Sequence, residues 1–215
     1  MGKYFLGPGN DSHPAEFWSP GHTYVTLKDV PFPRAGTDFT IAAWVAPDLV
    51  DSAYHAILGY QPSLDNGSGP RSPCMYVAPG GGLHFDSYDA SGKTRFFANH
   101  IGTGDFFKPG QYVHVAWVKK GTTYTVYRNG TQYPDKKTTW KAPASVTLSN
   151  KFWIGRVDNF FTGRVDEISF FATALSAKEI AGISSTAVGV CDEQTIAITN
   201  PYFEGLTARL AFSAC

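Results

Sequence analysis

Two stretches of this chain decide its fold class before anything else is read. Phe39-Thr-Ile-Ala-Ala-Trp-Val45 puts Phe39, Ile41, Ala43 and Val45 on one side and Ala42 and Trp44 on the other. Tyr112-Val-His-Val-Ala-Trp-Val118 places Val113, Val115 and Trp117 together. Successive side chains of a strand point to opposite faces, so a period-two run that is apolar on both faces belongs at the centre of a sheet covered on each side. Such strands require neighbours to pair with and two covering layers.

The rest of the chain supplies the neighbours. Further strands are expected at Tyr24–Leu27, His55–Tyr60, Cys74–Val77, Leu83–Tyr88, Thr94–Ala98, Phe152–Gly155 and Gly163–Phe171. Turn clusters punctuate them: Asp65-Asn-Gly-Ser-Gly-Pro70, Pro79-Gly-Gly-Gly82 and Asp89-Ala-Ser-Gly92. A hairpin runs up Thr122–Arg128, turns at Asn129-Gly130 and returns along Thr131-Gln-Tyr133. Asn-Gly suits a type I′ turn because both central residues need positive φ. The 22 Gly, 14 Pro and 32 aromatic residues (16 Phe, 11 Tyr, 5 Trp) favour strands and turns over helices. One short helix is legible, where Ser176-Ala-Lys-Glu179 forms a capping box before Ile180 and Ile183. These elements predict an all-β chain, a two-sheet antiparallel sandwich with one short helix. No linker-like composition interrupts it. Residues 1–215 read as one domain, with 184–215 as a C-terminal extension whose Thr195–Ile198 and Ala208–Phe212 form a strand pair completing the sheets.

Charge and cysteine content narrow the function classes. The 18 basic and 18 acidic residues cancel and no basic run exceeds Lys136-Lys137, so no nucleic-acid footprint is present. No apolar stretch is long enough to cross a bilayer as a helix, and the Met1–Leu6 start lacks the apolar core of a secretory leader. A cytosolic protein, or an exported one in mature form, is expected. Cys191 and Cys215 can close the tail as a disulfide or remain reduced; Cys74 is left over and, in the apolar run Cys-Met-Tyr-Val, reads as an inert buried thiol.

The order of four stretches resembles the laminin-G-like family of the concanavalin A-like lectin/glucanase superfamily. They are Phe39–Val45, His114-Val-Ala-Trp-Val118, Thr123-Tyr-Thr-Val-Tyr-Arg-Asn-Gly130, and Phe161-Thr-Gly-Arg-Val-Asp-Glu-Ile-Ser-Phe-Phe171, the last running into Ala174-Leu175-Ser176-Ala-Lys-Glu-Ile180. The likeness covers roughly residues 17–183. It implies a concanavalin-like jelly roll with one concave and one convex sheet, binding sugars or proteins on the concave face or its rim loops. It also implies a structural divalent cation, usually calcium. Asp166 matches the position that often supplies a carboxylate, and the carbonyl of Gly21 is a candidate second ligand. The early loop departs from the family's Phe-Asp-Gly, reading Phe17-Trp-Ser-Pro-Gly21.

Catalysis finds little support in the residues. Glycosidases need two carboxyls about 5–9.5 Å apart, and the glucanase branch obtains them from alternate positions of one strand. Here Asp86 and Asp89 have odd spacing and Asp166 and Glu167 are adjacent, so each pair diverges on a regular strand. No nucleophile elbow, phosphate-binding loop or zinc-type spacing of Cys and His occurs. A non-enzyme is expected.

Ligand-binding candidates remain. His84 and Asp86 are two apart and share a face, as a polar site on the concave sheet or a simple salt link. The connection Val157-Asp-Asn-Phe-Phe161 joins two strands and offers Asp158, Asn159, Phe160 and Phe161. Aromatics that stack on sugar CH faces, beside Asp and Asn that hold hydroxyls, make a saccharide site; with the rings packed inward they are loop anchors. Tyr88, Asp89 and Trp140 are further candidates, whereas Trp18, Trp44, Trp117 and Trp153 read as core, and His114 as a hydrogen-bonded strand residue. The leading expectation is a non-catalytic, lectin-like carbohydrate-binding protein. Its alternatives are a binder of a small planar aromatic ligand or pigment, recognisable by absorbance beyond the Trp and Tyr bands, and a protein–protein adhesion module. The expected partners are glycans or a small aromatic molecule, with a homo-oligomer left open and no nucleic acid or membrane insertion.

Overall fold

A computed structural model describes residues 4–6, 15–17, 24–28, 38–60, 73–88, 95–133, 139–141, 151–157, 159–185, 192–197 and 207–212. Its strands, in chain order, begin with β1 (Tyr4–Leu6), β2 (Ala15–Phe17), β3 (Val25–Lys28), β4 (Phe39–Pro47), β5 (His55–Tyr60), β6 (Cys74–Ala78), β7 (Gly82–Tyr88) and β8 (Arg95–Ile101). They continue with β9 (Val113–Lys120), β10 (Thr123–Arg128), β11 (Thr131–Gln132), β12 (Thr139–Lys141), β13 (Lys151–Ile154) and β14 (Gly163–Phe171). Helix α1 (Ala177–Ser185) follows, then β15 (Asp192–Ala197) and β16 (Thr207–Phe212).

The expected central strands are central. One eight-stranded antiparallel sheet runs β1-β14-β4-β9-β10-β11, with β2 on β14 and β12 on β10. β4 and β9 lie in its middle, buried along almost their whole length. A six-stranded sheet runs β3-β13-β5-β6-β7-β8. Between the two sheets, Ile41, Val45, Val115, Trp117 and Phe170 meet Leu58, Met75, Val77, Leu83 and Phe85 in one apolar core. Phe152 of the smaller sheet stands between Tyr60 and Phe170, at centroid distances of 4.8 and 4.9 Å, so rings as well as aliphatics join the layers.

The C-terminal pair departs from expectation. β15 and β16 pair with each other as a separate two-stranded sheet and extend neither large one. Cys191, Cys215 and their pairing lie outside the described residues. Cys74 is a buried thiol whose Sγ lies 3.6 Å from the Tyr60 carbonyl, as its apolar neighbourhood implied.

Local chemistry accounts for the turn and the helix start. Asn129 and Gly130 take φ of 49° and 77°, the left-handed pair that a type I′ turn demands. Glu179 accepts from the Ser176 amide at 2.7 Å while its own amide reaches the Ser176 hydroxyl at 3.3 Å, completing the capping box. The buried Ile180 then sets α1 on Ala42, Ala116, Val118 and Tyr127, over the outer side of the eight-stranded sheet. The helix also closes on the hairpin: a methyl at Gly130 would meet the Ser184 hydroxyl and lie 3.1 Å from the Ala181 Cα. Gly130→Ala is therefore expected to cost about 1–2 kcal/mol, from left-handed strain and crowding together. A urea midpoint lowered without a change in slope is the corresponding reading.

Candidate functional site

β7 alternates with fidelity. Leu83 and Phe85 enter the core, and Ser87 reaches the buried Tyr124 hydroxyl at 3.2 Å. His84 and Asp86 consequently share the outer face of the six-stranded sheet, as their spacing required, with Nε2 and Oδ2 3.9 Å apart. That separation is too long for a hydrogen bond, and the contact is an ion pair only with a protonated imidazole. Both side chains are almost wholly buried, so they back a surface and do not form it.

The surface is built by residues around them. Tyr54, at the end of the β4–β5 loop, lays its ring across His84 (5.3 Å), Tyr76 (6.4 Å) and His100 (6.0 Å). Its hydroxyl lies 2.9 Å from His100 Nε2. Tyr76 and Phe97 flank His84 at 5.4 and 6.3 Å. Phe97 is 53% exposed, which makes it the most exposed large apolar residue among those described.

His100 holds its place through a bulge. Ala98 and Ile101 both enter the core although three positions apart, so β8 carries an extra residue opposite β7 between Leu83 and Phe85. His100 absorbs the irregularity with φ of 57°, uncommon for a residue other than glycine. β8 accordingly runs three residues beyond the expected end at Ala98, because strict alternation breaks there.

A second layer fixes the loops. His55 Nε2 lies 2.9 Å from Asp51 Oδ1, and its Nδ1 lies 3.3 Å from the Phe160 carbonyl. The Ala53 amide and then His55 hold the Asp51 carboxyl below the usual carboxylate range. Arg156 stacks between the rings of Phe160 (4.6 Å) and Tyr24 (5.4 Å).

The other sequence-expected positions scatter. Phe161 is fully buried in the core, so the anchoring alternative describes it. Phe160 is half-buried against Arg156 and Asn159 is exposed. Tyr88 continues the outer face of β7, half-buried. Trp140 lies on β12 opposite Tyr124, while Asp158, Asp89 and Gly21 fall outside the described residues. Trp44 is a correction: it is half-buried and points outward from β4, because a strand apolar on both sides does not say which side is covered. His114 is another. Its backbone amide donates to Asn129 Oδ1 at 3.0 Å, yet its buried Nδ1 has no partner among the described residues. Trp18 lies outside the description, and Trp117 is core. Trp153, nearly buried, tilts against Tyr24 at 5.6 Å.

The Asp166 carboxylate, the expected calcium ligand, is half-buried on β14. One carboxylate oxygen accepts the Glu167 amide at 2.8 Å, and its cross-strand neighbour is Trp44. No group of three or more His, Cys, Asp or Glu converges among the described residues.

Two face-to-face antiparallel sheets with an aromatic and imidazole-lined outer face define a jelly-roll sandwich. Residues 19–181 match the laminin-G type of the Concanavalin A-like lectin/glucanases superfamily, and the chain belongs to that family. No curated protein shows significant sequence similarity to it. Among solved structures it is similar to the binding domain of Paraclostridial mosquitocidal protein 1, at 15% identity and a TM-score of 0.60, over 86% of this chain and 45% of that one. It is also similar to the ligand-binding domain of botulinum neurotoxin serotype D in complex with N-acetylneuraminic acid (10% identity, TM-score 0.60, 85% and 46% covered). A third likeness is to the binding domain of botulinum neurotoxin DC in complex with rat synaptotagmin II (12% identity, TM-score 0.58, 89% and 44% covered). The chain spans less than half of each of these domains, and likeness at such identity speaks for the fold.

Proposed function

We propose that this protein is a non-catalytic, lectin-like module whose saccharide ligand lies on the outer face of the six-stranded sheet, against Phe97, Tyr54 and His100. The observation that carries this reading is the gathering around His84 of the exposed Phe97 ring, at 6.3 Å, and of Tyr54, at 5.3 Å, whose hydroxyl and the His100 imidazole are held 2.9 Å apart. A flat apolar face beside a few fixed polar groups is what a sugar needs, because its CH faces are apolar and its edges are hydroxyls. A hydrolase would add paired carboxyls. Asp86 is buried behind the surface and Asp166 and Glu167 are neighbours on the other sheet, while Asp89 lies outside the described residues. That one structural relative was captured with a sialic acid and another with a protein agrees with a binding role.

Glycan-array screening followed by calorimetry on the best saccharide tests the reading. Phe97→Ala is expected to weaken affinity about tenfold or more, and His100→Gln to weaken it less. Unaltered affinity in Phe97→Ala removes the site. Purified protein that absorbs beyond the Trp and Tyr bands replaces the saccharide with a planar aromatic compound.

A further inference from the structure

Three described residues other than glycine adopt positive φ: His100, Asn129 and Glu167. The hairpin explains Asn129 and the Tyr54 site explains His100, which leaves Glu167, at 48°. Glu167 lies within a bulge of β14 between Asp166 and Ser169. The bulge lets Val165 and Ile168 both enter the core while Asp166 stays outside, its carboxylate gripped by the Glu167 amide.

Register then builds a row. Asp166 lies opposite Trp44 on β4, and Trp44 opposite His114 on β9. Directly opposed residues share a face, so a carboxylate, an indole and an imidazole stand side by side on the outer face of the eight-stranded sheet. Trp44 is half-buried, with its ring 5.3 Å from the covered His114 ring. α1 covers the sheet beside the row, over Ala42 and Ala116, with its last turn against Gly130, and leaves Trp44 half-buried. On the other side Arg164 reaches the Asp48 carboxylate at 3.2 Å and the exposed Tyr112 ring at 5.4 Å.

We propose that Trp44 and Asp166 form a second saccharide site, for a neutral hexopyranose, so that one chain presents two sites on opposite faces. This rests on the saccharide reading of the first. The indole offers the apolar platform. The Asp166 oxygen not held by Glu167 accepts a hydroxyl, a donor that a half-buried carboxylate gains from. Arg164 one row away opposes a cation and Asp166 opposes an anion, which leaves a neutral ring. Two sites facing apart on one rigid sandwich cross-link glycans without an oligomer.

The test titrates methyl α-mannopyranoside, methyl β-galactopyranoside and methyl β-glucopyranoside into isotope-labelled full-length protein, following amide and indole signals by NMR. Trp44→Phe assigns the Trp44 indole. Two separate groups of signals are expected to move, one around residues 54, 97 and 100 and the other around 44, 114 and 166. Asp166→Asn keeps the size and the acceptor for the Glu167 amide. It should weaken the second group's affinity about tenfold and leave the first unchanged. Movement of the first group alone, or an Asp166→Asn protein that binds as before, overturns the second site while the first reading stands. Movement of the second group alone keeps the Trp44–Asp166 site but overturns both the first site and the two-site arrangement. No movement with any of the three glycosides overturns the second site outright.

Discussion

Trp117→Ala should cost about 3–5 kcal/mol in unfolding free energy, the range for truncating a large buried aromatic. Trp117 is fully buried on the central strand β9. Its ring meets Phe39 edge-on at 5.8 Å, Tyr124 at 5.3 Å and, across the sandwich, Phe85 of the smaller sheet at 4.4 Å. Removing it opens a cavity where the two sheets are joined, and both layers would have to shift together to fill it. Against a typical domain stability of about 5–15 kcal/mol, that loss threatens folding itself. Trp117→Phe keeps the experiment readable. It retains ring contact and discards an indole N–H that is buried without a partner among the described residues, so about 1 kcal/mol is expected. Urea denaturation of the two variants should rank them in that order, and equal losses would show that Trp117 does not tie the sheets.

The legibility of this fold in its sequence followed from which signals were local. β4, β9, the Asn129-Gly130 turn and the Ser176 cap each declare themselves within a few residues, and each lies where expected. His84 and Asp86 were legible for the same reason, since a period of two needs no knowledge of neighbours. Tyr54 and His100 were not, because they meet only through cross-strand pairing across a bulge. The odd spacing of Ala98 and Ile101 was the available sign of that bulge. Trp44 was misread because apolar alternation does not tell how much of the outer face α1, seated on Ala42, will cover. Phe160 and Phe161 are consecutive, so one ring turns into the core while the other stacks on Arg156; composition alone could not choose between them.

The stability of this protein should fall in acid through His114, whose buried ring resists protonation in the folded chain. Burial holds the folded imidazole down to about 4 from an ordinary value of 6.5. The Trp44 ring is its edge-on neighbour, and Nδ1 has no partner among the described residues to stabilise a charge. In the unfolded chain the same ring binds a proton below about pH 6.5, whereas the folded ring binds one only below about 4. Between those values the unfolded state holds more protons, so stability declines as pH falls, by about 1.4 kcal/mol per unit for one proton. The full window is worth about 3 kcal/mol. His114→Leu removes the titration and leaves no buried nitrogen wanting a partner. Every other ionisable group is common to the two proteins, so the informative quantity is the difference between the two unfolding free energies. It should move in favour of His114→Leu by about 3 kcal/mol as pH is lowered from 7.5 to 4. Parallel curves over that range would mean that the folded protein charges His114 as readily as the unfolded chain does. The ring would then have to be reached by solvent or by an acceptor, and Trp44 could not be lying over it.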